Sequence, residues 1–182
     1  MWQYLFVIRK SWLLLTTLLF LPGIAGAQAD ESEKELAVVE VGAAASQSLT
    51  GGGFSGGPTV AVEVTPIENW LELETGVTSL LTAHSTEWDA DFLFKKPWTL
   101  SRKVEFMAGL GPEWIHTSEN HISANAVGLE VIGDFMFWPS VKHRFGWYLE
   151  PGYDYSFGRG HEQSLGISGG LLIAITRRNA KH

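Results

Sequence analysis

The chain has 182 residues, 45% of them hydrophobic and 18% charged, with 8 Trp, 10 Phe, 20 Gly and no Cys. So apolar and aromatic a composition excludes a disordered chain. The lack of Cys excludes a disulfide scaffold, a thiolate metal centre, a Cys nucleophile and a lipid-modified N-terminal Cys. Thirteen Lys and Arg against twenty Asp and Glu, a formal net charge of −7, argue against nucleic acid as a partner.

Residues 1–29 read as an export signal. Arg9 and Lys10 supply positive charge, Trp12 to Leu21 a short apolar core, and Pro22-Gly23 ends it. Small residues precede two cleavage points, after Ala27 or after Ala29. The apolar run falls short of the roughly 20 residues a helix needs to span a bilayer. Residues 30–182 then make one domain.

From about residue 36 the hydrophobic period is two, the mark of strands. A weak first strand, about 36–45, sets Val39 and Val41 against Glu40 and Gly42. The second sets Val60, Val62 and Val64 against Thr59, Glu63 and Thr65. The third sets Leu71, Leu73 and Val77 against Glu72 and Glu74. The fourth sets Trp88, Ala90, Phe92 and Phe94 against Glu87, Asp89, Asp91 and Lys95. The fifth opposes Val104, Phe106, Ala108, Leu110 and Trp114 to Lys103, Glu105 and Glu113. The sixth opposes Val127, Leu129, Val131, Phe135 and Phe137 to Glu130 and Asp134. The seventh opposes Phe145, Trp147, Leu149, Tyr153 and Tyr155 to Arg144, Tyr148, Glu150 and Asp154. The eighth opposes Leu165, Ile167, Leu171, Ile173 and Ile175 to Ser164, Gly166, Ser168 and Gly170. No charge falls on any apolar face.

Eight strands near ten residues long suit an antiparallel up-and-down barrel that crosses a bilayer and leaves no edge. Pro-bearing turns at 66–69, 96–102 and 139–143 join strands at one end, the periplasmic one. Links at 46–57, 79–85, 116–125 and 156–163, rich in Gly, Ser, Thr, His and Asn, lie at the exterior. The polar faces aim Glu72, Glu74, Glu105, Glu130, Asp134, Arg144, Tyr148 and Glu150 into a narrow, acidic lumen. A soluble, lipocalin-like barrel with its apolar face inside shows the same alternation. Two aromatic belts favour the membrane. Trp70, Trp98, Trp138, Phe145 and Trp147 lie beside the Pro-bearing turns, and Trp88, Trp114, Tyr155 and Phe157 at the opposite strand ends.

On these features the mature chain resembles the small eight-stranded bacterial outer-membrane β-barrel proteins. Three segments carry the likeness: Pro66-Ile-Glu-Asn-Trp-Leu-Glu-Leu-Glu74, Phe94-Lys-Lys-Pro-Trp98 and Phe145-Gly-Trp-Tyr-Leu-Glu-Pro-Gly-Tyr-Asp-Tyr155. Ser168-Gly-Gly170-Leu-Leu-Ile173-Ala-Ile175 is similar to the family's assembly signal, but Thr-Arg-Arg-Asn-Ala-Lys-His follows where the family ends in Phe. The resemblance implies residence in the outer membrane as a monomer among its lipids and lipopolysaccharide, insertion by the assembly machinery, and no cofactor.

Two constellations carry chemistry. His116-Thr-Ser118, with Glu130 on the next strand, is similar to the His-x-Ser pair and Glu of outer-membrane lipid A deacylases, which would serve as base, nucleophile and orienting carboxylate. Glu87, Asp89 and Asp91 set three hard oxygen ligands on one face, a pattern fit for Ca²⁺ or Mg²⁺, although a solvated polar face shows it too. The expectation favours no catalysis and no dedicated metal site. Gly51 to Gly57 lacks the Lys-Ser/Thr of a phosphate loop, and Pro151 within the seventh strand points to a bulge. The expected role is structural, surface-interacting or narrow-passage rather than that of a wide porin. A lipid A-acting hydrolase and a soluble ligand-binding barrel are the alternatives.

Overall fold

The computed structural model describes residues 34–51, 53–119, 122–140, 143–158 and 160–177. The expected signal, 1–29, and its cleavage points lie outside them. Eight strands follow in order: β1 (Lys34–Ser48), β2 (Phe54–Ile67), β3 (Leu71–Leu81), β4 (Ser85–Ser101), β5 (Val104–Glu119), β6 (Ile122–Phe137), β7 (Phe145–Ser156) and β8 (Gln163–Arg177). Each pairs antiparallel with the next, and β1 pairs with β8, so the sheet closes into a barrel. Closure is what lets every strand find two partners and removes the edges that would otherwise template aggregation.

The alternation predicted from sequence sets the facing of the walls. Val60, Val62, Phe92, Leu110, Val131 and Ile167 are exposed on the outside, while Glu40, Glu63, Glu74, Lys95 and Asp134 are buried within. A soluble barrel of the lipocalin kind is built the other way round. Two aromatic bands ring the outer wall. Trp88, Trp114 and Phe157 are exposed near the loops that join β1 to β2 and β3 to β4, and Trp70, Trp98, Phe145 and Trp147 near the ends that carry the termini. Within the second band Trp98 stacks on Phe106 and Phe137 on Trp147, with ring centroids 5.7 and 3.9 Å apart.

The strands run longer and the outer loops shorter than the sequence suggests. Residues 96–101, expected as a turn, continue β4. The β3–β4 register ends at Glu72↔Lys95, so beyond it β4 has a free edge where Pro97, lacking an N–H, forfeits no ladder bond. Of residues 116–125, expected as an external loop, 116–119 end β5 and 122–125 begin β6, paired from His116↔Asn125 to Glu119↔Ile122. Pro151 makes no bulge. Ile132↔Gly152 and Phe135↔Leu149 keep one register on either side of it, and Pro151 itself pairs with Ile167.

At the β1–β8 seam, where the barrel closes, Gly42 faces Gly170. A Cβ on Gly42 would meet the Tyr148 hydroxyl at 2.8 Å and the Gly169 carbonyl carbon at 2.9 Å. Side chains there are excluded by the neighbouring backbone, which cannot yield without opening the ladder. Gly42→Ala is expected to lose about 1–3 kcal/mol, the usual cost of overpacking. Urea unfolding of the lipid-embedded barrel checks this, and an unchanged midpoint would show that the seam tolerates a Cβ.

Candidate functional site

The lumen holds the chemistry-bearing residues. Its lower part, toward the termini, is an apolar plug. Val38, Met107, Met136, Trp138, Tyr148 and Leu172 pack together there. Trp138 is 1% exposed, and its indole Nε1 donates to Glu105 Oε2 at 3.3 Å. Its expected place in the membrane-interface belt is therefore a misassignment. Inward positions on β6 are even-numbered, Asp134 and Met136 among them, and the same parity carries the residue just past Phe137 into the barrel. Met107, Met136 and Leu172 also fill the lumen, apolar residues at inward positions that a pattern of charge does not mark.

Above the plug Lys95, 1% exposed, lies among four carboxylates. Its ammonium donates to Glu74, to Asp134 Oδ2 at 3.1 Å and to Glu150 Oε2 at 3.2 Å, and Glu63 Oε2 is 3.5 Å away. Carboxylate oxygens of Glu40, Glu63, Glu74 and Asp134 all lie within 4.8 Å of one another. That is the spacing of a cation site, and a lysine fills it. Isolated carboxylates are too costly to bury, so the fold brings four strands' acids onto one amine.

Most of the expected lumen residues point inward. Glu74, Glu130, Tyr148 and Glu150 line a cavity of about 490 Å³ above the plug, Asp134 is buried at its base, and Glu105 holds Trp138. Glu72 pairs with Lys95 in register at the lower end. Arg144 does not belong with them. It precedes β7 and is exposed, because the strand begins one residue later than the alternation implies. Lys95, Glu40 and Glu63, which alternation puts on the polar faces of their strands, are buried in the lumen as well.

The cavity opens between the loops opposite the termini, where Ser48, Thr50, Thr82 and Glu162 rim it. Glu87, Asp89 and Asp91 line it, so these acids face the lumen and not the exterior surface. Glu113, Glu130 and Asp154 join them, and among the described residues no Lys, Arg or His does. Thr117 Oγ1 donates to Glu87 Oε2 at 3.0 Å, Gly76 N to Asp91 Oδ1 at 3.0 Å, and Ser164 Oγ to Asp154 Oδ2 at 2.7 Å.

The His116, Ser118 and Glu130 set is not brought together. His116 stacks on Trp114, its ring centroid 5.7 Å away, and its Nδ1 shares a hydrogen bond of 2.8 Å with Asn125 Oδ1. Ser118 pairs with Ser123 at the strand end. Glu130 lines the lumen on the other side of the wall, so no base, nucleophile and carboxylate converge.

No family model matches the sequence and no curated protein matches it. Solved structures do. The chain is similar to Neisserial surface protein A with a TM-score of 0.61 at 12% identity, over 76% of this chain and 96% of that one. It is similar to the N-terminal β-barrel domain of Pseudomonas aeruginosa OprF with a TM-score of 0.52 at 11% identity, over 77% and 100%. Its likeness to Ail, the attachment invasion locus protein of Yersinia pestis, has a TM-score of 0.50 at 11% identity, over 77% and 99%. The fold is that of the small outer-membrane β-barrels. At such low identity the outer-membrane barrel fold is what the neighbours share with this chain. Their lumen residues and loops are not carried over.

Proposed function

We propose that the protein is a small, non-enzymatic barrel of the bacterial outer membrane, with a structural or surface role and no through-going pore. The outward apolar wall between two aromatic bands supports the location. Such a wall in water would be an exposed apolar surface far larger than a soluble monomer carries. The reading places the barrel as a monomer among outer-membrane lipids and lipopolysaccharide, inserted by the assembly machinery. A surface role accords with Neisserial surface protein A and the attachment invasion locus protein among its structural neighbours.

The observation that carries the reading is the closed floor of the lumen. A barrel of eight strands is just wide enough for its interior side chains to fill. Here Trp138, Met107, Met136 and Leu172 fill the lower part, and the Lys95 cluster lies over them. Ions that enter from the loop side meet a dead end. Recordings across planar bilayers are expected to show at most a small conductance that prefers cations, because the acidic walls concentrate positive charge. Sustained large conductance, or a preference for anions, would overturn the reading.

A further inference from the structure

The open acidic chamber has no role in that reading, which needs only the floor beneath it. We propose that this chamber is a divalent-cation site, in which Asp89, Asp91, Glu113, Glu130 and Asp154 hold Ca²⁺ or Mg²⁺ with part of its water shell.

Above the Lys95 cluster, two acids that line the chamber each keep a buried carboxylate oxygen without a hydrogen-bond partner. Asp89 Oδ1 and Glu113 Oε2 are without a hydrogen-bond partner, on side chains 8% and 7% exposed. Buried polar atoms are nearly always partnered, and each one that is not calls for an ion or a water. The backbone also sets acids against one another. Asp91 lies directly across from Glu113 on β4 and β5, and Glu130 directly across from Asp154 on β6 and β7. Like charges at directly opposed positions destabilise a sheet, and here two such pairs face one space.

The wall makes room for two of these side chains. Glu113 pairs with Gly128 across β5 and β6, and a Cβ at Gly128 would meet Glu113 Oε2 at 2.8 Å. Asp91 leans over Gly76 in the same way, 2.7 Å from where its Cβ would be. Glycine at these two positions leaves the space that the carboxylates occupy. The hydrogen bonds of the Lys95 ammonium go to Glu74, Asp134 and Glu150 below and not to these acids.

The donor set selects the ion. It consists of carboxylate and hydroxyl oxygens with no imidazole or thiol, which suits hard divalent cations and disfavours zinc or copper. The cavity of about 490 Å³ far exceeds a bare ion, and each water takes about 30 Å³. Ligands spread over several strands therefore hold a partly hydrated ion, as Mg²⁺ prefers and Ca²⁺ accepts.

Calorimetric titration of the chelator-stripped, folded full chain in detergent with CaCl₂ and with MgCl₂ tests this. Saturable single-site binding is expected for at least one of the two salts. Asp89→Asn combined with Glu113→Gln should weaken it about tenfold or more, while Glu68→Gln, on the β2–β3 turn at the other end, should leave it unchanged. No saturable heat in the wild type with either salt, or equal affinity in the double variant, would overturn the proposal. A measurement without variants runs beside it. Anomalous scattering from Mn²⁺ soaked into crystals of the unmodified protein should peak within the chamber, and a peak elsewhere or none would count against the site. Both readouts are independent of conductance, so an open pore would refute the closed floor without touching this result.

Discussion

Lys95→Met is expected to lower the stability of the folded barrel by about 3–5 kcal/mol, the range seen when one partner is removed from a buried ion cluster. Among the described residues the ammonium is the single positive charge in contact with Glu63, Glu74, Asp134 and Glu150. Methionine fills a similar volume, so the loss reports charge and not a cavity. Taking the amine away leaves carboxylates from β2, β3, β6 and β7 facing one another in a space closed below by Trp138 and Leu172. Urea titration of the protein in lipid vesicles reads the change. Adding Glu74→Gln and Asp134→Asn to Lys95→Met should recover a large part of it, since each removes one of the stranded charges. A wild-type midpoint for Lys95→Met alone would show that the acids do not depend on the lysine.

Leu110→Arg is expected to cost about 2–4 kcal/mol, the range for a cation on the lipid face near the bilayer midplane. Leu110 is 57% exposed on the outer wall. It lies midway along β5 between Trp114 of one aromatic band and Phe106, which stacks on Trp98 of the other. Leu100→Arg is the counterpart. That side chain is also exposed but lies past Trp98 at the end of β4, where the same substitution should cost only about 0–1 kcal/mol. The two variants differ in depth and in little else. Vesicle-based unfolding titrations compare them. Equal costs at both positions would mean that no gradient of polarity runs along the wall, and the membrane reading would fall with it.

Much of this protein was legible in one dimension. The period of two along each segment follows from strand geometry, so the outward faces of β2 to β8 could be assigned from Val60 to Ile175 before any pairing was known. The absence of charge from those faces, with aromatics near both ends, already pointed to lipid outside. The lumen acids Glu74, Glu130, Asp134 and Glu150 followed from the same parity. Where the reading failed, composition overrode period. The tryptophans near one turn suggest a belt position for Trp138, but its parity sends it inward. The polarity of 116–119 and 122–125 suggests a loop, but polar side chains near a strand end cost nothing beyond the apolar band. Arg144 was given a facing although it lies just before β7.

Only the tertiary structure decided what meets what inside. Lys95 on β4 reaches Glu63, Glu74, Asp134 and Glu150, residues 21 to 55 positions away for the three that it hydrogen-bonds. That convergence depends on closure, which folds the sheet until non-adjacent strands face each other across the lumen. Pairwise register sets the cross-strand oppositions Asp91↔Glu113 and Glu130↔Asp154, and no local pattern encodes them. The candidate His116, Ser118 and Glu130 set fails on facing, which alternation itself shows. Sequence places the three on neighbouring strands, but His116 and Glu130 lie on opposite faces of the sheet, and only the closed barrel turns those faces into an outside and an inside. By itself the sequence determined an eight-stranded wall with an apolar and a polar side, because alternation is a local property of the extended chain. The plug, the lysine cluster and the open acidic chamber arise from contacts across the barrel, and their positions are fixed by closure and shear.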